Sequence, residues 1–225
     1  MNVLFVVAHP DDEVLGGGAT ISKLVREGNA VDTCILNTHD VTMYKTAEEH
    51  QELLRKSAES LGVRYVYCGN YADSQMNRAN HREMVEFIEA AIMQTQPEVV
   101  FTHHPNDINE DHRWCFQSCI EAFRIGQRQR SDIAPIRQLL LMEVLSSTDW
   151  SMDSTRAPFR PNTFVPVSEV DVIKKWEALK QYEGVLRNCP HPRRPRIIGN
   201  LASLRGAQSG FEYAEAFECV FRRGL

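Results

Sequence analysis

The sequence predicts an α/β protein with a Rossmann-like three-layer fold, a mainly parallel sheet carrying helices on both faces. Residues 2–8 form an apolar run with no polar alternation past Asn2, the mark of a strand buried on both faces. Strand-like and helix-like segments then alternate as far as residue 102, the order of parallel βαβ units. Polar clusters follow the first and fourth strands, at the carboxyl ends where open α/β sheets bind ligands.

The first strand runs into His9, Pro10, Asp11, Asp12 and Glu13, followed by Val14, Leu15 and three glycines. This turn opens a helix, with Asp12 or Glu13 near the positive end of the helix dipole. Residues 19–27 continue as helix, with Ile21, Leu24 and Val25 on one face, and Gly28-Asn29 is a stop. Residues 30–36 are the second strand, and 37–45 a polar loop above the sheet. An amphipathic helix over 46–61 ends at Gly62, a third strand covers 63–68, and 69–80 is a loop containing Asp73. Met84, Val85, Ile88 and Ile92 recur at helical spacing in 81–95; Pro97 stops that helix, and 98–102 is the fourth strand. The second polar cluster spans 103–113, before a helix from about 114 to 125.

Residues 125–132 are charged and expected at the surface, and 138–145 form a further strand. The polar stretch 146–161, with Trp150 and Phe159, is long enough to frame a binding site. A strand over 162–167 and a helix over 170–185 follow, the latter with Val172, Ile173, Trp176 and Leu179 on one face. Residues 189–196 hold three prolines and three arginines and read as loop; 197–209 are helical, and 211–221 are helix or strand. No internal repeat, linker or second boundary is visible, so residues 1–225 form a single domain.

That length supports a sizeable core, and 43% apolar with 24% charged residues is an ordinary globular composition. A net charge of −5 argues against a nucleic-acid partner, which would face a basic patch. No stretch approaches the roughly 18 apolar residues of a membrane span. The first strand lacks both a preceding basic residue and a small-residue cleavage site, so a cytoplasmic protein is expected. Cys34 and Cys68 lie within strands as small hydrophobes. Cys115 and Cys119 share a helix face, but no second pair with ligand spacing accompanies them, and packing is the better reading.

His9-x-x-Asp12 can bring an imidazole nitrogen and a carboxylate oxygen to one cation, a mixed set that zinc accepts. Asp11, between them, points elsewhere and can face the open coordination position. In a doubly wound sheet the first and fourth strands can be neighbours where strand order reverses. His112 would then reach the same point, completing a three-ligand site with a position left for water.

These clusters resemble the PIG-L/LmbE family of zinc-dependent N-acetylglucosamine-type deacetylases. Residues 8–13 read Ala-His-Pro-Asp-Asp-Glu, Asp111-His112 follows the fourth strand, and 213–217 read Tyr-Ala-Glu-Ala-Phe. The resemblance implies a Rossmann-like fold and hydrolysis of an N-acyl amide on a small amino sugar or its conjugate. It implies His9, Asp12 and His112 as ligands of zinc, or of another divalent metal such as Fe2+. Asp11 would be the general base, Asp111 a relay or supporting carboxylate for the neighbouring imidazole, and Asp73 a partner of sugar hydroxyls. Asn109 stands where several members have a histidine that assists the tetrahedral intermediate; an amide can donate to an oxyanion but cannot shuttle a proton. His50 stands where many members have a substrate-binding arginine, with Arg55 a turn later. His103 and His104 are either replacement proton donors or strand-end histidines satisfied by backbone. Homo-oligomerisation is left open.

Two other classes compete. A non-catalytic Rossmann-like sugar or sugar-nucleotide binding protein would need neither metal nor Asp11 beside Asp12; Gly16-Gly17-Gly18 does not make the dinucleotide fingerprint Gly-x-Gly-x-x-Gly. A phosphoester hydrolase with two metals would need more carboxylates and histidines than these clusters offer.

Overall fold

In the computed structural model, which describes residues 1–38, 47–127 and 133–224, seven strands form one sheet. They are β1 (Asn2–Val7), β2 (Ala30–Ile35), β3 (Val66–Cys68), β4 (Val99–Thr102), β5 (Gln138–Met142), β6 (Thr163–Val167) and β7 (Tyr213–Arg222). Their order is β3-β2-β1-β4-β5-β7-β6; the first five strands run parallel, and β7 pairs antiparallel with both β5 and β6. The helices are α1 (Asp12–Arg26), α2 (Ala47–Leu61), α3 (His81–Thr95), α4 (Glu110–Phe123), α5 (Glu169–Leu179) and α6 (Pro195–Ser209).

β1 explains why its sequence never alternates. Val3, Phe5 and Val7 point into a core shared with α1, α2, α5 and α6, whereas Leu4, Val6 and Ala8 enter a second core with α3 and α4. Each fully buried large side chain here is worth roughly 1.5–3 kcal/mol relative to exposure, so both faces demand apolar residues. Phe5 stacks on Phe101 of β4 with ring centroids 4.3 Å apart, and Phe101 meets Phe217 of β7 at 4.8 Å. This aromatic row ties the middle of the sheet to its antiparallel edge.

α1 crosses Phe5 so closely that a Cβ on Gly17 would lie 2.5 Å from the ring. At that glycine the helix leaves helical geometry, which exposes the amides of its next turn. The Ala19 and Thr20 amides donate to the Glu215 carboxylate of β7 at 3.3 and 2.6 Å, and Glu215 in turn pairs with buried Lys175 at 2.6 Å. The Glu of Tyr-Ala-Glu-Ala-Phe therefore caps the second half of α1 from across the fold.

Several boundaries differ from those the sequence predicts. α4 starts at Glu110 rather than near 114, because the Asn109 side chain caps it by accepting from the Asp111 amide at 2.9 Å. The third strand starts at Val66 rather than 63, with Arg64 drawn to Asp32 at 2.6 Å. β5 ends at Met142 rather than 145, where the chain turns through Val144–Thr148 backbone bonding. α5 stops at Leu179 rather than 185 and gives way to turns, and α6 begins at Pro195, whose missing N–H is no loss in a first turn. The final segment is strand. Most of the expected 37–45 loop and much of the charged 125–132 stretch lie outside the described residues. Among the described residues no helix is long and apolar enough to cross a membrane.

Candidate active site

Strand order reverses between β1 and β4, which pair Val3 with Val99 and Phe5 with Phe101. The turns leaving these two strands therefore open into one crevice.

In the turn after β1, Asp11 adopts the left-handed region at φ 95°. For a non-glycine residue this costs roughly 1–3 kcal/mol unless the surroundings enforce it. The Asp11 amide donates to Glu13 Oε2 at 3.1 Å, and the Asp11 carbonyl accepts from Leu15 at 2.7 Å. Glu13 also accepts from the Tyr182 hydroxyl at 3.1 Å; burial, reinforced by Asp11, pushes its carboxyl up to about 8. Asp11 itself is pushed up to about 7 by burial, while Arg193, 3.1 Å away, works in the opposite direction.

Asp12 Oδ2 lies 3.3 Å from His9 Nδ1 and 3.2 Å from His112 Nε2. The second nitrogen of each ring turns to other carboxylates. His9 Nε2 is 3.0 Å from Asp73 Oδ1 and 3.1 Å from Asp111 Oδ2, and His112 Nδ1 is 3.1 Å from Asp107 Oδ2. Ligand atoms of His9, Asp12 and His112 all lie within 4.8 Å of one another. Two imidazole nitrogens and a carboxylate oxygen, each ring backed by a carboxylate, fit a divalent cation of the zinc type. Two further triplets, His103 with Asp107 and His112, and His9 with Asp73 and Asp111, meet the same distance.

The electrostatics agree with that donor set. Burial lowers both rings, but the carboxylates outweigh it and raise His9 well above its ordinary value and His112 to about 9. Burial would raise Asp12, yet His112, His103 and His9 hold it well below the usual carboxylate range. Positive charge is wanted at this point, and a cation would compete for it with protons.

Asp111 holds His9 rather than its neighbour His112, because successive residues on a helix diverge by about 100°. It also accepts from the Ser74 and Met76 amides at 2.6 and 3.1 Å, pinning the loop that carries Asp73. Asp73 sits at the mouth with its side chain 41% exposed. Asn109 spends its side-chain oxygen on the α4 cap, and His50 is buried within α2. His103 Nε2 accepts from the Ala8 amide at 2.9 Å, and its ring stacks on His112 at 3.9 Å. Burial lowers His103 to about 3, which keeps its ring neutral near pH 7. His104 Nδ1 accepts from the Asn106 amide at 3.1 Å. Both are strand-end histidines engaged by backbone.

Four contributors were not singled out by the sequence. Asp107 stood in the second polar cluster without a mark to separate it from its neighbours. Ser147 and Thr148 donate to the two Asp107 oxygens, and Ser147 Oγ lies 3.2 Å from His112 Nδ1. Arg193 was one of three arginines in a proline-rich loop, and nothing local distinguished it.

Residues 4–123 match the PIG-L family, described as GlcNAc-PI de-N-acetylase. The diacetylchitobiose deacetylase of Thermococcus kodakarensis is 27% identical over 236 residues, covering 97% of this chain and 82% of its own. The structure of the conserved protein TT1542 from Thermus thermophilus aligns with a TM-score of 0.78 and 22% identity, over 100% of this chain and 97% of its own. The 4-carboxy-2-hydroxymuconate hydratase GalB of Pseudomonas putida aligns with a TM-score of 0.78 and 22% identity, over 100% and 98%. At such identities the structural likeness speaks for the fold alone, and one fold can carry different chemistries. The family match spans more than half of the chain and takes in His9, Asp12 and His112. The chain belongs to the PIG-L family.

Proposed function

We propose that the protein is a metal-dependent hydrolase that removes an N-acyl group, acetyl in the first instance, from an amino sugar or amino-sugar conjugate. One observation carries the reading: His9 Nδ1, Asp12 and His112 Nε2 converge while both outward ring nitrogens rest on carboxylates, with Asp11 next in the chain. In this reading His9, Asp12 and His112 hold zinc, or another divalent metal such as Fe2+. Such an ion supplies a Lewis acid for the acyl oxygen and makes water acidic enough to attack near neutral pH.

The remaining work belongs to the chain. Asp11 accepts the proton of the attacking water and returns one to the departing amine, the step that amide hydrolysis needs because an amide anion leaves poorly. Asp111 orients His9 and fixes the loop bearing Asp73. Asp73, partly exposed beside His9, accepts from sugar hydroxyls, which need partners when buried. The Asn109 amide nitrogen can donate to substrate while its oxygen caps α4. His50, buried within α2 where the resemblance places a substrate-binding arginine, is the further candidate for a substrate contact. The non-catalytic binding reading leaves the paired His-carboxylate arrangement without a purpose. The site of action is the cytoplasm.

A screen of N-acetylated sugars, sugar nucleotides and glycolipids with zinc-loaded protein, reading free amine and acetate, tests this. The expected result is stoichiometric release of both from at least one amino sugar, abolished by chelator. Turnover unaffected by chelation, or no amine from any N-acyl sugar, contradicts it.

A further inference from the structure

Arg193 lies between α5 and α6, yet its guanidinium reaches both the turn after β1 and the turn after β5. Nη1 donates to Asp11 Oδ2 at 3.1 Å. Nε donates to the Leu145 carbonyl at 3.2 Å and to Ser146 Oγ at 2.7 Å, just beyond β5. Asp11 and Ser146 are two of the four described non-glycine residues with positive φ, at 95° and 62°. One planar cation thus bridges the strained turn after β1 and the strained turn after β5.

We propose that Arg193 is a positioning residue for the reaction, clamping Asp11 Oδ2 to the end of β5 so that Oδ1 faces the attacking water. The inference rests on Asp11 being the base. Arginine suits the task better than lysine because its fork spans two acceptors in fixed geometry, whereas an ammonium is a single point donor. A carboxylate freed from the clamp can rotate about its χ angles, and a base displaced by about 1 Å can lose roughly 100-fold in rate. The clamp also explains why a polar, partly exposed loop folds back on the catalytic turn. Arg193 is 21% exposed as a side chain, so a small cation from solvent can reach its place.

The test compares zinc-loaded wild type, Arg193→Ala, Arg193→Lys, Asp11→Asn and the Arg193→Ala/Asp11→Asn double variant. Metal content, thermal midpoint, kcat and KM are measured on each. Arg193→Ala is expected to lose about 100-fold in kcat with KM within about threefold and one metal retained. Arg193→Lys should recover part of the loss. Added guanidinium ion should rescue Arg193→Ala and leave the double variant unmoved, and the double variant should be no slower than Asp11→Asn. A kcat for Arg193→Ala within about threefold of wild type, multiplicative losses in the double variant, or loss of the metal would overturn the proposal. If wild type cleaves no N-acyl sugar, the function reading fails separately. The same four-member cycle then reads the clamp through thermal midpoints: non-additive shifts support it, and additive shifts overturn it.

Discussion

The two histidines of the cluster are held in the same way but live in different surroundings. His112 is sealed: its ring stacks on His103, and its Asp107 partner is fixed by Ser147 and Thr148. His9 is open, its side chain 16% exposed and its partner Asp73 41% exposed at the mouth of the crevice. Both rings have a carboxylate behind them, so both are ready as metal ligands. The difference lies in access. In the proposed function the closed side would anchor the ion and the open side would leave room for a substrate, with Asp12 Oδ2 between the two rings.

The largest effect should come from the proposed base, Asp11, in the turn that also carries His9 and Asp12. Asp11→Asn is expected to keep its zinc and lose roughly 10²–10⁴-fold in turnover, because the base goes and the ligands remain. Metal analysis beside amine-release kinetics checks this. Full turnover with zinc bound would remove Asp11 from the base role.

The two sides should then separate. On the closed side, Asp107→Asn should weaken zinc by roughly 10–100-fold, measured by competition with a chelator of known affinity. On the open side, Asp73→Ala should leave zinc affinity near wild type and cut turnover of a sugar amide by about tenfold, the worth of one hydrogen bond to a charged group. A small acetanilide should be spared. Equal losses on both substrates would make Asp73 an organiser of its own turn, next to Ser74, and would break the contrast between the sides.

The smallest effect concerns a carboxylate away from the crevice. Burial would raise Asp171, but hydrogen bonds from Arg26, Ser168 and Ser22 hold it at about 2, below the roughly 3.9 of an unfolded chain. A depressed folded value adds stability that is present above about pH 4 and fades as pH falls toward 2. Arg26 is more than half exposed, so solvent screening keeps the gain small. Asp171→Asn should therefore be less stable than wild type at pH 7, with the gap closing below about pH 3 in denaturant titrations. A gap that stays constant across that range would mean the loss is one of packing.

Where the sequence was legible, the reason is locality. β1 could be read because a strand buried on both faces leaves no polar residue in the run, and His9, Asp11 and Asp12 because they share one turn. The pairing of β1 with β4 followed from the reversal rule of doubly wound sheets. Arg193 was not legible, since its partner is 182 residues away and its loop offers three arginines of equal standing. Asp107 was hidden among other polar residues until the loop after β5 brought Ser147 and Thr148 onto it. The start of α4 was misplaced by four residues because a polar first turn looks like loop until its Asn109 cap is seen. Glu215 illustrates the converse: its motif was recognisable, but its task, capping a helix broken at Gly17, depends on a packing contact with Phe5.

The most direct measurement is a crystal structure of the zinc-loaded protein with anomalous data at the zinc edge. The predicted result is one ion per chain bonded to His9 Nδ1, Asp12 and His112 Nε2 at about 2.0–2.2 Å, with Asp73, Asp111 and Asp107 still on the outward nitrogens. An ion seated instead among His103, Asp107 and His112, or among His9, Asp73 and Asp111, with any of the three named ligands beyond about 3 Å, would contradict the account.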